Sequence, residues 1–330
     1  MDFTIKEFNT LESVEVWNDF VFAQSLPHYS IGHNPCLPQI LKTLFKFEPV
    51  YCMIYQEEKL VGVFQAIKDK GKIVSLPVVS TSGLCLALGY NAVEVYKVIC
   101  AHFNAPYEIR DFVKFSDFSF DKKSTSYLPL KKDADEQLKS FKSKLRNQIK
   151  KGYTNGLQVQ IGGLELLKDF YDIYIKNMHR LGVPHPSMEY FKSFVENYKN
   201  GQSKIFLITY NNIPVGSCII FTFGKLSELF WASTVREYNH LNSNMVLYWE
   251  VIKYANEQGF DTLSFGRSDG ESSSLKFKEQ WGIDIYPLSF NYSAAKSNLR
   301  EFGLINKIWK VIPFPIVKIV GPIIRSKVTS

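Results

Sequence analysis

The sequence predicts a mixed α/β protein (α+β in character) built from two tandem domains, and three observations lead there. The chain has 330 residues, more than one ordinary core takes up and fewer than three require. Apolar residues make up 45% and aromatic residues 15%, against 22% charged, a composition that packs into cores. Helical and strand periodicities alternate through both halves, with a basic amphipathic segment between them at residues 133–151. The expected division is a first domain over 1–132, a second over 133–303, and a basic apolar tail over 304–330.

The first half opens with a helix from Val14 to Gln24. Strands over Val50–Tyr55 and Leu60–Ile67 are joined by the turn Gln56–Lys59, which makes a meander rather than a dinucleotide-binding opening. Ser75-Leu76-Pro77 then leads to Gly83, and a helix follows from Ala92 to Phe103. From Asp133 to Lys151, Leu138, Phe141, Leu145 and Ile149 recur at spacings of three, four and four, one face of a single helix with Gly152 as its stop. The opposite face carries Lys139, Lys142, Lys144, Arg146, Lys150 and Lys151 without an intervening acid. It is either a solvated face or a surface for tRNA phosphates, which bind electrostatically.

The second half repeats this logic. Leu166, Phe170, Tyr174 and Met178 recur every fourth residue on one helix, and a second runs from Met188 to Tyr198. Strands follow at Lys204–Tyr210 and Pro214–Phe223, joined by Asn211-Asn212, with a third at Leu226–Val235. Asn242-Ser243-Asn244 is expected to cap a helix ending at Gly259, and Thr262–Gly266 reads as a short buried strand.

Several function classes are disfavoured. The five cysteines are never closer than fifteen residues, so neither a disulfide framework nor a CxxC site is indicated. His28, His33, His179 and His185 lack the spacing of a metal site. No nucleophile elbow or Ser/Lys motif is present. The first residues do not read as a signal peptide, so a cytoplasmic location is expected. Beyond Glu301 there are no acids, while Lys307, Lys310, Lys318, Arg325 and Lys327 add five positive charges to a net +7 chain. The apolar, basic stretch from Leu304 to Arg325 is interrupted by prolines and lysines, which disfavours a span. It is expected either to contact an anionic membrane surface from the inner face or to lie strapped across the body.

With these segments in order, a family resemblance emerges. Lys144–Lys151 followed by Gly156-Leu157, then Tyr174–Pro184, then Phe265-Gly266-Arg267-Ser268 with Lys276-Phe277-Lys278-Glu279-Gln280-Trp281-Gly282, resemble FemAB-like proteins of the exopolysaccharide-associated branch. In the first half the resemblance rests on Ser75-Leu76-Pro77 and Gly83. It implies two tandem GNAT-like domains and an acyltransferase that forms an amide on a cell-envelope precursor. No cofactor is expected to stay bound; the co-substrate is aminoacyl-tRNA or acyl-CoA. The chain lacks the coiled-coil arm of some peptidoglycan bridge enzymes, and its FGRS replaces their FGG-like motif, which leaves donor and acceptor open.

Amide formation from an ester or thioester needs a neutral amine, an aligned carbonyl and donors for the oxyanion, but no enzyme nucleophile. Asp269 and Glu271 are the candidate general bases. The family's FK motif implies a phosphate-contacting role for Lys278, and Arg267, with Ser268 beside it, is the candidate clamp for a phosphate or carboxylate. Either cation could instead pair with Asp269, Glu271 or Glu279. Arg236 and Tyr238 are further candidate ligands, and Trp281 either stacks on substrate or packs in the core. Arg236–Asn244 lacks the glycines of a CoA pyrophosphate loop. Two alternatives remain: a CoA-dependent N-acyltransferase of polysaccharide or sugar-nucleotide synthesis, and a non-catalytic scaffold for envelope precursors or membranes.

Overall fold

The computed structural model describes residues 2–10, 13–295 and 309–328. The chain divides into two compact units, one of Met1–Tyr127, Gly266–Phe277 and Asp284–Lys296, the other of Leu128–Phe265, Lys278–Ile283 and Ser297–Ser330. Two stretches read above as part of the second domain therefore cluster with the first.

In the first unit, β1 (Phe3–Phe8), α1 (Val14–Phe22), α2 (Cys36–Phe45), β2 (Glu48–Gln56) and β3 (Lys59–Asp69) follow one another. Then come β4 (Lys72–Val74), β5 (Leu84–Leu86), α3 (Ala92–Phe103), β6 (Tyr107–Asp111) and β7 (Phe118–Pro129). The expected meander is β2 and β3, antiparallel from Glu48 opposite Lys68 to Gln56 opposite Lys59. Val50, Cys52, Ile54, Phe64, Ala66, Tyr96, Ile99 and Ile109 form its core. α3 begins where Asn91 caps Val93 and Glu94, and ends at left-handed Asn104.

The second unit opens with α4 (Ala134–Ser140) and α5 (Ser143–Thr154), two helices where one was expected. The break falls at Phe141, whose extended backbone sends its buried ring edge-on against Trp249 and Trp281. Arg146 donates to the carbonyls of Lys139 and Phe141, so the helix end freed by the break is partnered. Gly152 is not a stop. It lies within α5, where a Cβ would overlap Val246, so its role is close helix packing.

β8 (Leu157–Gly162), α6 (Leu167–Leu181), α7 (Met188–Asn197), β9 (Ser203–Tyr210), β10 (Ile213–Phe223), β11 (Leu226–Thr234), α8 (Ser243–Glu257) and β12 (Thr262–Asp269) complete the expected helix, meander, helix, strand order. Asn211 and Asn212 are both left-handed, as a two-residue hairpin requires. β10 is buried at every position from Val215 to Phe223, so both of its faces are covered, and α6 and α8 each pack on it. α9 (Ser273–Glu279) follows.

The next strand, β13 (Asp284–Tyr292), returns to the first unit between β6 and β7 and is antiparallel to both. That insertion explains why residues so late in the sequence belong with the first ones. α10 (Phe314–Val328) packs against α6.

Candidate functional site

In the first unit β13 is the spine of a basic cluster. Phe290 lies opposite Arg110 of β6, and the Arg110 guanidinium lies 5.1 Å from the ring centre. On the other side Leu288 pairs with Lys123 of β7. Arg267, at the end of β12, brings a second guanidinium to within 5.5 Å of the same ring and donates to the carbonyl of Val79 at 3.5 Å. Asp269 is ion-paired with Lys123, and Gly270 N donates to Lys122 O at 3.0 Å, which fastens this turn alongside β7. Burial, and then the positive charges of Arg267 and Arg110, lower the pKa of the Lys123 amine. The cluster thus gathers three cations, of which Lys123 is paired with Asp269 and Arg110 with Glu108. Ser268 is buried with its Oγ unpartnered, as are Ser124, Thr125 and Ser126 next to Lys123 on β7.

A buried polar belt holds this cluster in place. Arg110 Nη1 donates to Pro77 O at 3.0 Å, Nη2 reaches Glu108 at 3.1 Å, and Arg110 N donates to Ser75 Oγ at 2.9 Å. Thr81 Oγ1 donates to Arg110 O at 2.9 Å. The loop from Ser75 to Gly83 is thus the scaffold of Arg110, and its far end is pinned by His33. Ser30 N donates to His33 Nδ1 at 2.9 Å, so the ring proton lies on Nε2, which donates to Gly83 O at 3.0 Å. Burial lowers the His33 pKa from 6.5 to about 4. Asp111, one residue past Arg110, accepts from Tyr96 and from Leu84 N, and burial nevertheless drives its carboxyl above the usual range. Gly83 sits so close to Asp111 and Tyr96 that a Cβ would overlap both.

The remaining candidates lie elsewhere. Glu271 is exposed on a left-handed residue in the turn before α9 and forms no ion pair among the described residues, so the structure does not bring it into the cluster. Lys278 belongs to the second unit and is 4% exposed, a rare degree of burial for a lysine. Trp281 is core rather than a stacking platform. It is 1% exposed, parallel to Tyr248 at 5.9 Å and edge-on to Phe141 and Phe265. Arg236 and Tyr238 occupy a 3-10 turn after β11, Arg236 exposed and Tyr238 leaning on Tyr210 at 6.2 Å.

The expected side-chain cap of α8 comes from Asn244, whose Oδ1 accepts from Met245 N at 3.0 Å. Asn242 is left-handed at φ 64 and makes no capping hydrogen bond, while Ser243 is buried with its Oγ unpartnered. β11 is irregular just upstream. Ser217 pairs with Ser233 and Ile219 with Phe230, so Trp231 and Ala232 together face Cys218 in a β-bulge, and Trp231 has φ 45. A tryptophan held left-handed is costly. Tyr190, Phe191, Phe194 and Phe221 pack around its ring and over-determine the conformation. β11 also pairs with parallel β12 only from Leu226 to Glu228.

Arg110, Lys123 and the bulge at Trp231 were not found from sequence. Arg110 and Lys123 could have been flagged only by knowing that β13 inserts between their strands, and the bulge leaves no turn residue to read.

These two units have the tandem GNAT-like fold, as comparison with solved structures shows. FemX is 15% identical, with 86% of this chain and 96% of that chain covered at a TM-score of 0.66. The C-terminal domain of a protein assigned as a lysylphosphatidylglycerol synthetase from Agrobacterium fabrum is 9% identical, with 85% and 91% covered and a TM-score of 0.54. A tandem GNAT protein from the clavulanic acid biosynthesis pathway is 9% identical, with 90% and 100% covered and a TM-score of 0.53. Residues 121–213 match the model of the FemAB family. The FemAB-like resemblance read from Lys144–Leu157 and Tyr174–Pro184 falls inside that match, whereas Phe265–Gly282 lies beyond it. No curated protein sequence matches the chain.

Proposed function

We propose that the protein is a FemAB-like acyltransferase that joins an aminoacyl or acyl group, in amide linkage, to an amine of an anionic cell-envelope precursor. The observation that carries this reading is the gathering of Arg110 and Arg267 around Phe290, with Lys123 near enough to feel both charges. Two guanidiniums and an amine suit the phosphate or carboxylate of such an acceptor. The FemAB family match and the lysylphosphatidylglycerol synthetase likeness support the aminoacyl and envelope parts of the reading.

In this reaction the neutral amine attacks the donor carbonyl, a C–N bond forms, and the C–O bond of an ester or the C–S bond of a thioester breaks. Asp269 accepts the proton the amine loses, and the leaving oxygen or sulfur takes one up. Within the second unit taken by itself, the bulge at Trp231 in β11 is the candidate source of backbone N–H groups for a carbonyl oxygen. Within the second unit, Lys278, Arg236 and Tyr238 are candidate anion contacts of that unit by itself. The basic face of α4 and α5 is available to tRNA.

The test is incubation of the purified protein with panels of aminoacyl-tRNAs and acyl-CoAs and with nucleotide-linked and lipid-linked amino-sugar or peptide acceptors, read by mass spectrometry. An amide product that Arg267→Ala forms about 30- to 150-fold less efficiently is expected. No product with any donor, together with acceptor binding that Arg267→Ala leaves intact, would sink the proposal.

A further inference from the structure

Among the described residues no helix is long and apolar enough to cross a membrane. Yet α10 carries a stripe of branched apolar side chains into solvent. Ile316 is 49% exposed, Ile319 72% and Ile323 55%, with Val311 at 79% just upstream. Spacings of three and four place the three isoleucines in one sector of the helix. The helix cannot rotate to hide them, because its other side is occupied. Val317 and Trp309 are buried, His179 Nε2 lies 3.0 Å from Ile312 O, and His185 Nε2 lies 3.3 Å from Val317 O. Gly321 packs so tightly on His185 that a Cβ would overlap the ring. The Lys318 amine reaches Asp172 of α6 at 3.6 Å. The sequence left open whether this segment straps onto the body or faces a membrane. Its inward side straps to the body, and its outward side remains apolar.

We propose that the outward face of α10 docks the protein on an anionic phospholipid surface. Charge selects this occupant. From residue 302 onward the chain has five basic residues and no acidic one, so a second copy apposed through the same face would bring two like-charged segments together. An anionic bilayer instead takes the isoleucines into its interface and attracts Lys310, which is exposed, while Lys318 stays with Asp172 on the inward side. Pro322 within the helix disfavours a span and is compatible with a helix lying in the interface plane. The docking holds whatever group the enzyme transfers, so its failure would leave the proposed reaction standing.

The test is cosedimentation of the full chain with phosphatidylglycerol–phosphatidylcholine vesicles and with phosphatidylcholine vesicles alone. Expected results are binding to the former, weaker at high salt, and a loss of at least about a hundredfold for the triple variant Ile316→Ser, Ile319→Ser, Ile323→Ser. Lys310→Gln should weaken binding about fivefold. Because the three isoleucines are exposed, the triple variant should keep its circular dichroism and thermal midpoint. Equal binding to both vesicle types, no binding by the parent chain, or undiminished binding by the triple variant would overturn the proposal. So would sedimentation showing that the parent chain self-associates through this face and does not bind vesicles.

Discussion

Acidification should loosen the loop that carries the basic cluster, because His33 must be neutral to hold it. In the folded chain Nδ1 accepts from Ser30 N and Nε2 donates to Gly83 O. A proton added at Nδ1 would face the Ser30 N–H and lose that bond. Burial lowers the His33 pKa from 6.5 to about 4, so the folded state binds fewer protons than the unfolded one between these values. The stability this contributes is fully present above pH 6.5 and is lost as pH falls toward 4. At 1.36 kcal/mol per pKa unit the whole loss is about 3 kcal/mol, of which about 2 kcal/mol is gone by pH 5. Hydrogen exchange of peptides covering residues 75–84, corrected for intrinsic rates, reads this locally. Protection should fall about 30-fold from pH 7 to pH 5, the equivalent of about 2 kcal/mol. His33→Gln should start less protected at pH 7, by about 1 kcal/mol, but lack this decline. Asp111, whose raised carboxyl pKa works in the opposite direction, is common to both proteins and cancels in the comparison. A parent protein whose protection declines no more than that of His33→Gln would refute the reasoning.

Arg267→Ala should lower kcat/KM of the transfer reaction by about 30- to 150-fold, the weight of a charge-assisted contact of 2–3 kcal/mol. Arg267→Lys should recover little of it, since only a planar guanidinium stacks on Phe290 as it does. Asp269→Asn should lower kcat, while Glu271→Gln, exposed and outside the cluster, should leave it unchanged within about twofold. Trp281→Ala should cost about 3–5 kcal/mol of stability, seen as a lower denaturant midpoint with acceptor affinity per folded molecule unaltered. A ligand-stacking role would instead show as an affinity loss at unchanged stability. Gly83→Ala should destabilise by about 1–3 kcal/mol, because its methyl would overlap the buried Asp111–Tyr96 pair.

What could be read from sequence was local. The meander of β2 and β3, the span of α3 and the strand order of the second unit follow from periodicity and turn residues, and the observed bounds fall within a few residues of the expected ones. Misreadings arose where tertiary contacts override local pattern. Leu138, Phe141, Leu145 and Ile149 share one helical face, yet burying Phe141 against two tryptophans outweighs continuing the helix past Ser140. Asn242-Ser243-Asn244 has capping composition, but Asn242 turns left-handed and leaves the role to Asn244, whose Oδ1 accepts from Met245 N. Gly152 resembles a stop, yet it marks the point where α5 meets Val246. For the candidate site, Arg267, Ser268 and Asp269 could be singled out because they share one short motif. Their companions could not.

The reason lies in chain topology. Arg110 and Lys123 flank a gap between β6 and β7 that only β13 fills, and β13 begins at Asp284. Until it is inserted, Phe290 offers no ring to the two guanidiniums, and the Asp269–Lys123 pair has no strand to fix its register. Contacts of such long sequence separation carry a loop-closure cost that local contacts do not. The cluster therefore depends on burial elsewhere to offset that cost. The belt from His33 through Gly83 to Asp111 supplies part of it, because its bonds join segments near the chain start to β6 without requiring β13. Arg110 is thus held by Ser75, Pro77 and Thr81 through bonds that do not involve β13. A first unit lacking β13 should accordingly keep its β2–β3 core and lose anion binding, whereas weakening His33 should reach the anion site only through the loop it pins.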